Sequence, residues 1–226
     1  MKEKIMYLRI RNLCGLLGII LPWLALFSAG IAKPHPSNEW WWSISATYYQ
    51  APVLVGVLTP ASIVLISYIG YNRLDNWITS LSGFFGLGIV LFPCHVSWIA
   101  DGTSVGFFQI PIGISNIIHT CCAAIFFMLL AYNSYFLFTK TGTGPMTPQK
   151  KQRNLVYRIC GIGMWSFEAL FAVIALTDAP GYWTMIVEIV LLHLFGISWL
   201  VKGEAIPCLN DAETPTTKKK THKKTP

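Results

Sequence analysis

Long apolar runs alternate with short polar ones along the whole chain, and the runs are of membrane length. Leu13 to Ala32 holds no ionisable group apart from the thiol of Cys14, and about 20 apolar residues in a helix cross ~30 Å of hydrocarbon. Runs of this kind predict six helices, near residues 12–32, 52–71, 77–96, 112–138, 156–176 and 182–201. The expected fold is therefore an all-α polytopic membrane domain over residues 1–202, followed by a disordered basic tail over 203–226 that is too polar to bury a core. Pro22 falls inside the first run and should kink it.

The breaks between runs carry their own signals. EWWWSISATYYQ, Glu39 to Gln50, lies between the first two runs without a charge after Glu39, and its aromatic crowding fits the headgroup level. It reads either as an aromatic belt or as a cover over a site, with Ser43, Ser45, Thr47, Tyr48 and Tyr49 as the polar groups. Asn72 to Asn76, NRLDN, reads as a helical hairpin turn. Trp98 to Pro111 mixes Asp101, Gly102 and Gly106 with aromatics and reads as a loop lying along the membrane surface, and Thr139 to Asn154 is the longest polar loop. The Asp178–Gly181 turn, DAPG, leads into the last helix. Gly83, Gly86 and Gly88 permit close backbone approach, which predicts a central position for the third helix; Gly161, Ala172 and Ala175 extend a small-residue face on the fifth.

Composition agrees with a membrane protein: 54% of residues are hydrophobic and 12% charged, with a mean hydropathy of +0.52. The net charge of +7 changes the picture through its distribution. Alternating the loops puts Lys2, Lys4, Arg9, Arg11, Arg73, Lys140, Lys150, Lys151, Arg153 and every later basic residue on one side, and only Lys33 on the other. By the positive-inside rule both termini are expected in the cytoplasm, with the tryptophan segment, the Asp101 loop and the DAPG turn facing outward. The same distribution explains the basic balance without nucleic acid. A bacterial inner membrane is the expected location; in a eukaryotic chain the final Lys223-Lys224-Thr225-Pro226 would resemble a dilysine retrieval signal of the endoplasmic reticulum, although a merely solvated basic tail reads the same way. The lysines would also be drawn to anionic lipid. The six cysteines show no paired spacing and read as small buried hydrophobes, with Cys94 alone near the outer surface.

Candidate chemistry rests on ionisable residues within the apolar runs, because each costs about 3 kcal/mol or more at the bilayer centre and so needs a partner or a purpose. They are His119, Glu168, Glu188 and His193. At ~1.5 Å per residue the first three lie roughly 9–12 Å from the outward helix ends, on three different helices. Ser115, Asn116 and His119 share one helical face that cannot look at lipid. His193 follows Glu188 by five residues, about 140° around the helix, so the two do not point at one ion. The candidate ligand-binding set is His119, Glu168, Glu188, His95, Asn116, Tyr48 and Tyr49; no cofactor is expected, and no metal motif such as HExxH appears. The same groups read equally as a hydrogen-bonded cluster that glues three helices together. No serine-nucleophile elbow, Walker loop, dinucleotide fingerprint or kinase signature is present.

WWWSISATYY ahead of the second helix, GYNRLDNW at the first expected cytoplasmic turn and GIVLFPC closing the third helix resemble small six-helix bacterial membrane proteins grouped under domains of unknown function. That resemblance covers the first four helices best and implies a compact inner-membrane domain without an activity. Ser45, Asp101 and His193 loosely echo the Ser, Asp and His ligands of seven-helix ceramidase and progestin-receptor-like hydrolases, but the helix count and the HxxxH pair differ. Three functional expectations follow: a lipid- or small-solute-binding protein, acting as a transporter or sensor; a membrane-embedded hydrolase; and a structural or assembly component. Membrane lipids are the expected partners, and the oligomeric state is not encoded in any pattern.

Overall fold

A computed structural model of the chain describes residues 2–31, 41–70, 72–141, 145–177 and 181–211. Six helices follow one another: α1 (Lys2–Ile31), α2 (Val53–Ile66), α3 (Arg73–Leu91), α4 (Ile112–Tyr132), α5 (Pro148–Ala175) and α6 (Tyr182–Lys202). A π-helical turn, Asn133–Leu137, continues α4. Five of the helices, α2 being the exception, are long and apolar enough to cross a membrane. α2 has 14 residues, about 21 Å at 1.5 Å per residue, which is shorter than the hydrocarbon core. The six expected spans are thus five of full length and one short apolar helix.

The boundaries moved where capping chemistry outweighed hydropathy. α1 starts at Lys2 rather than near Asn12, because charged residues end a membrane span without ending a helix. Pro22 sits inside α1 without interrupting it. NRLDN is not a hairpin turn: Asn72 caps α3, its side chain accepting a hydrogen bond from the Asp75 amide at 3.0 Å, so the next four residues form the first turn. α2 accordingly stops at Ile66, and Gly70 donates its amide to Asn76 Oδ1 at 2.6 Å. α3 ends at Leu91, not near Val96, since Pro93 disfavours the helical conformation at Phe92. Thr147 caps α5 through the Lys150 amide at 3.0 Å, with a proline in the first turn, which shortens the long polar loop by seven residues' worth of its expected extent, 148–154 being helical.

Two other expectations change. Residues 98–111 are not a plain loop: β1 (Ser104–Val105) and β2 (Ile110–Pro111) pair antiparallel around Gly106 at φ +72°, so the fold is all-α apart from this one small ladder. Residues 203–211, assigned to a disordered tail, fold back on α5, where Arg153 donates to the Leu209 carbonyl at 2.5 Å and to Asp211 at 2.6 Å. The Thr147 hydroxyl and Arg153 hold the Asp211 carboxyl below its usual range. The remaining tail, the stretch from Ala32 to Trp40 with Lys33, Tyr71, and residues 178–180 of the DAPG turn lie outside the described residues.

Close backbone approach sets the packing. A Cβ on Gly83 of α3 would run into the Ser62 carbonyl of α2, and one on Gly88 would meet Cys122 Sγ of α4 at 2.5 Å. Gly15 of α1 and Gly196 of α6 face each other's backbone, a Cβ on either lying 2.8 and 2.7 Å from the opposing carbonyl oxygen. The start of α1 and the end of α6 therefore meet at one end of the bundle, where Arg11 donates to the Lys202 carbonyl at 3.4 Å and to the Tyr68 hydroxyl at 3.1 Å. Asn133 bonds to Thr79 of α3 at 3.1 Å and Ser134 to the Tyr157 carbonyl of α5 at 2.8 Å, so the π-helical turn ties three helices together near that same end. Replacing Gly83 or Gly196 by valine should cost about 1–3 kcal/mol through overpacking, read as a lowered midpoint of thermal unfolding in detergent. Gly56→Ala, at a glycine with nothing within 4 Å, should leave the midpoint unchanged or raise it.

Candidate functional site

At the other end of the bundle the segments that precede α2 and follow α3 leave α-helical geometry, and irregular backbone enclosed in the bundle must find partners for its polar groups. α4 supplies one set. Ser115 donates to the Pro93 carbonyl at 2.8 Å, and Asn116 Oδ1 accepts the His95 amide at 2.8 Å. His119 Nδ1 lies 2.8 Å from the Phe92 carbonyl and 3.2 Å from that of Ile89. Because carbonyl oxygens only accept, Nδ1 carries the proton, and Nε2 of the neutral ring is left as an acceptor. The polar face of α4 thus closes the unwound end of α3.

α6 supplies the other set. The Glu188 carboxylate accepts from Ser43 Oγ at 2.9 and 3.0 Å, from Ser45 Oγ at 2.9 Å and from the Ile44 amide at 2.5 Å. Ser43 Oγ in turn accepts the Ser45 amide at 3.0 Å, and the Met185 amide of α6 donates to the Trp42 carbonyl at 2.9 Å. Hydrogen bonds to a charged acceptor are the stronger kind, so this carboxylate is compensated by dipoles rather than by a cation. Tyr49 joins the two irregular segments by donating to the Cys94 carbonyl at 2.8 Å. Burial, then the Cys94 and Tyr48 side chains, push the Tyr49 hydroxyl above its usual range. Burial and then the Glu188 charge push the Cys94 thiol up to about 12, which leaves it a protonated packing group rather than a nucleophile.

These supports enclose a cavity of about 390 Å³. Its polar lining comes from Trp42, Ser43, Ser45, His95, Asn116, His119, Thr120, Glu168, Thr184 and Glu188. The remainder is apolar, from Leu54 and Leu58 of α2, Ile89 of α3, Phe126 and Phe127 of α4, Phe171 of α5 and Leu191 and Leu192 of α6. Among the described residues no lysine or arginine lines it. Thr120 and Ala124 are both exposed and part of the lining, which puts the mouth on the α4–α5 side. There the second half of α5 exposes Ala169, Leu170, Ala172, Val173 and Ala175 while Phe167, Phe171 and Ile174 pack on the core, and Gly161, two turns closer to the Arg11 end, lies against Ala131 of α4 and Tyr135 of the π-helical turn.

Of the residues singled out in the sequence, His95, Asn116, His119, Glu168 and Glu188 line this one cavity, and Tyr48 and Tyr49 do not. The turn Ser45–Tyr49 is a 3₁₀ helix, and it directs Tyr48 onto the main core and Tyr49 onto a smaller one with Cys94, Val96, Val105 and Ile112. The cover over the cavity is Trp42–Ala46 instead. Thr47 is buried, its hydroxyl donating to the Ile44 carbonyl at 2.6 Å. Phe171 and Thr184, missed in the sequence, stand one turn from Glu168 and Glu188, and the three- or four-residue spacing would have found them.

Glu168 differs from its neighbours. It is half-buried, and among the described residues its carboxylate has no hydrogen-bond or ion-pair partner. His193 is elsewhere, its Nδ1 donating to the Ile189 carbonyl at 2.7 Å and its Nε2 accepting from the Trp23 indole at 3.1 Å. The set Ser45, Asp101 and His193 is not brought together: Ser45 is on Glu188, and Asp101 is exposed 3.3 Å from His95. Among the described residues no three His, Cys, Asp or Glu side chains converge as ligands of one metal ion would.

Glu188→Ala should free the cover while leaving the bundle folded. Loss of charge-assisted hydrogen bonds worth about 1.5–3 kcal/mol corresponds to roughly 10- to 100-fold faster amide exchange, to be seen by hydrogen–deuterium exchange at Ile44 and Ser45; unchanged rates there would show that the clamp contributes nothing. No protein-family model matches the chain, and no curated protein or solved structure matches it either, so the geometry alone bears on function.

Proposed function

We propose that this chain is a membrane protein that binds a lipid-like amphiphile in the cavity beneath Trp42–Ala46, with the polar head at the Glu168 level and the tail among Phe126, Phe127, Leu191 and Leu192. The observation that carries this reading is a cavity that combines the polar groups of Ser43, Ser45, Asn116, His119, Glu168 and Glu188 with a larger set of apolar side chains, open on its α4–α5 side. Its ~390 Å³ is within the range of small-molecule sites and suits one short chain rather than a whole two-chain phospholipid. A mouth between helices admits a ligand from the bilayer, without passage through water. Binding, with transport or sensing as its outcome, is favoured over hydrolysis because the serine hydroxyls at the site are engaged by Glu188 and the nearby thiol is protonated.

The orientation belongs to the same reading. Arg11, Lys140, Lys150, Arg153 and Lys202 gather around a cleft at the end opposite the cavity. With six crossings, α2 included, both termini are cytoplasmic and the cavity lies in the outer half of the membrane. A bacterial inner membrane is the location this supports.

Ala123 and Ala124 line the cavity, and replacing either by tryptophan fills it. Binding of a fluorescent single-chain lipid to the purified protein should fall by about 10-fold or more while the unfolding midpoint stays; undiminished binding in both variants would place the ligand elsewhere. For the orientation, Thr103→Cys, in the exposed turn near Asp101, should react with an impermeant maleimide in intact cells. The native exposed Cys208 should react only after permeabilisation, and the reverse pattern would invert the topology.

A further inference from the structure

We propose that the ligand of this cavity carries a protonated amine, and that Glu168 is its counter-ion. The inference rests on the binding role above and names the chemistry of the head.

It follows from which polar atoms remain uncommitted around the cavity. The hydroxyls of Ser43 and Ser45 donate to Glu188, and the Nδ1 proton of His119 is given to backbone carbonyls. What these residues still present are acceptors: His119 Nε2 and the second lone pair of Ser45. Glu168 adds two carboxylate oxygens with no partner among the described residues. The lining therefore holds two carboxylates and, among the described residues, no lysine or arginine.

Each class of head meets this lining differently. A phosphate or carboxylate head would enter beside two carboxyl groups with no lysine or arginine to receive it, in a medium where Coulomb repulsion is weakly screened. A hydroxyl or amide head would be tolerated but would give Glu168 no opposite charge, so nothing in such a head would favour the ionised carboxylate. An ammonium supplies the opposite charge that no lysine or arginine of the lining provides, and its N–H groups can be received by the Glu168 carboxyl and by His119 Nε2. Aromatic faces are at hand as well: Phe171 is one turn on from Glu168, and Trp42 is in the cover, a setting that favours cations further. The opposite end of the molecule is complementary, since its cleft is lined by Arg11, Lys140, Lys150, Arg153 and Lys202 against Glu204 and Asp211. Anionic heads have a favourable surface there and none beside Glu168.

The test uses the full chain in phosphatidylcholine nanodiscs, with empty nanodiscs subtracted, and probes that share a dodecyl tail. Dodecylamine, cationic at neutral pH, should bind about 10-fold or more tightly than dodecanol, with dodecyl sulfate weakest. Glu168→Gln should bring dodecylamine to the dodecanol level without changing dodecanol, and Glu168→Asp should keep the preference. Equal binding of the three probes, tighter binding of the sulfate, or a preference that survives Glu168→Gln would overturn the amine assignment while leaving the cavity as a binding site. No binding above empty nanodiscs by any probe would overturn both. Should the glutamine variant fail to fold, the ranking of the three probes on the unaltered protein decides alone.

Discussion

The carboxylate of Glu188 collects donors from three consecutive residues of the segment between α1 and α2, and the rest of the site depends on that clamp. Without it, Ser43, Ile44 and Ser45 would have polar groups at membrane depth and no partner on their own helices. With it, the segment lies across the end of the bundle as a fixed cover, and Trp42–Ala46 become one wall of the cavity. The arrangement resembles a helix cap made in reverse: a carboxylate from the interior of α6 receives an amide and two hydroxyls from a turn that has just begun. His119 performs the mirror task, its ring donating to the last carbonyls of α3. An acid and a base within the bundle are thus both spent on holding the irregular segments beside them, Glu188 through one amide and two hydroxyls and His119 through backbone carbonyls, which is no sign of chemistry by itself.

What the sequence made legible follows from this division. Apolar run length identified each helix, because membrane-spanning segments need little else. The polar face of Ser115, Asn116 and His119 was legible as a face that cannot meet lipid. Its partner was not, because the partner is backbone, and backbone carbonyls leave no mark in a sequence. The same limit made Glu188 and Glu168 look alike: both are carboxylates at similar depth, and only the tertiary placement of SIS beside α6 separates the one with four hydrogen bonds from the one with none among the described residues. Tyr48 and Tyr49 drew attention as aromatic polar groups, yet the 3₁₀ turn sends them into packing and leaves the neighbouring serines at the cavity. Helix starts were misplaced for a reason that was readable. Asn72 with Asp75 three residues on, and Thr147 followed by Pro148, are start signals that hydropathy had masked.

Glycine contacts explain why there is a cavity at all. α1 with α6 and α2 with α3 meet through backbone, at Gly15 against Gly196 and Gly83 against Ser62, and such contacts leave no room to slide. α4 and α5 have one contact of this kind, Gly161 against Ala131 and Tyr135, and it lies toward the Arg11 end. Beyond it no glycine of α5 makes such a contact with α4 among the described residues. The space between them is bounded by tightly packed pairs on every other side, so the cavity results from one helix pair being held at one end only.

The distribution of held and unheld elements also decides where a response to an occupant can arise. The cover is tied to α6 by Glu188, to the Cys94 segment by Tyr49 and to the start of α6 by the Trp42 carbonyl, so moving it would break several charge-assisted or buried hydrogen bonds at once. The second half of α5 makes no side-chain hydrogen bond to another element among the described residues; it contributes Glu168 and Phe171 to the lining, packs Phe167 and Ile174 against the core, and exposes Ala169, Leu170, Ala172, Val173 and Ala175. A ligand can shift an equilibrium only through the element with which its interaction differs between states, and Glu168 is the lining group whose surroundings change most on occupancy. In the proposed binding role, a movement of α5 is the response that would break the fewest of these hydrogen bonds. The tryptophan segment is the fixed wall.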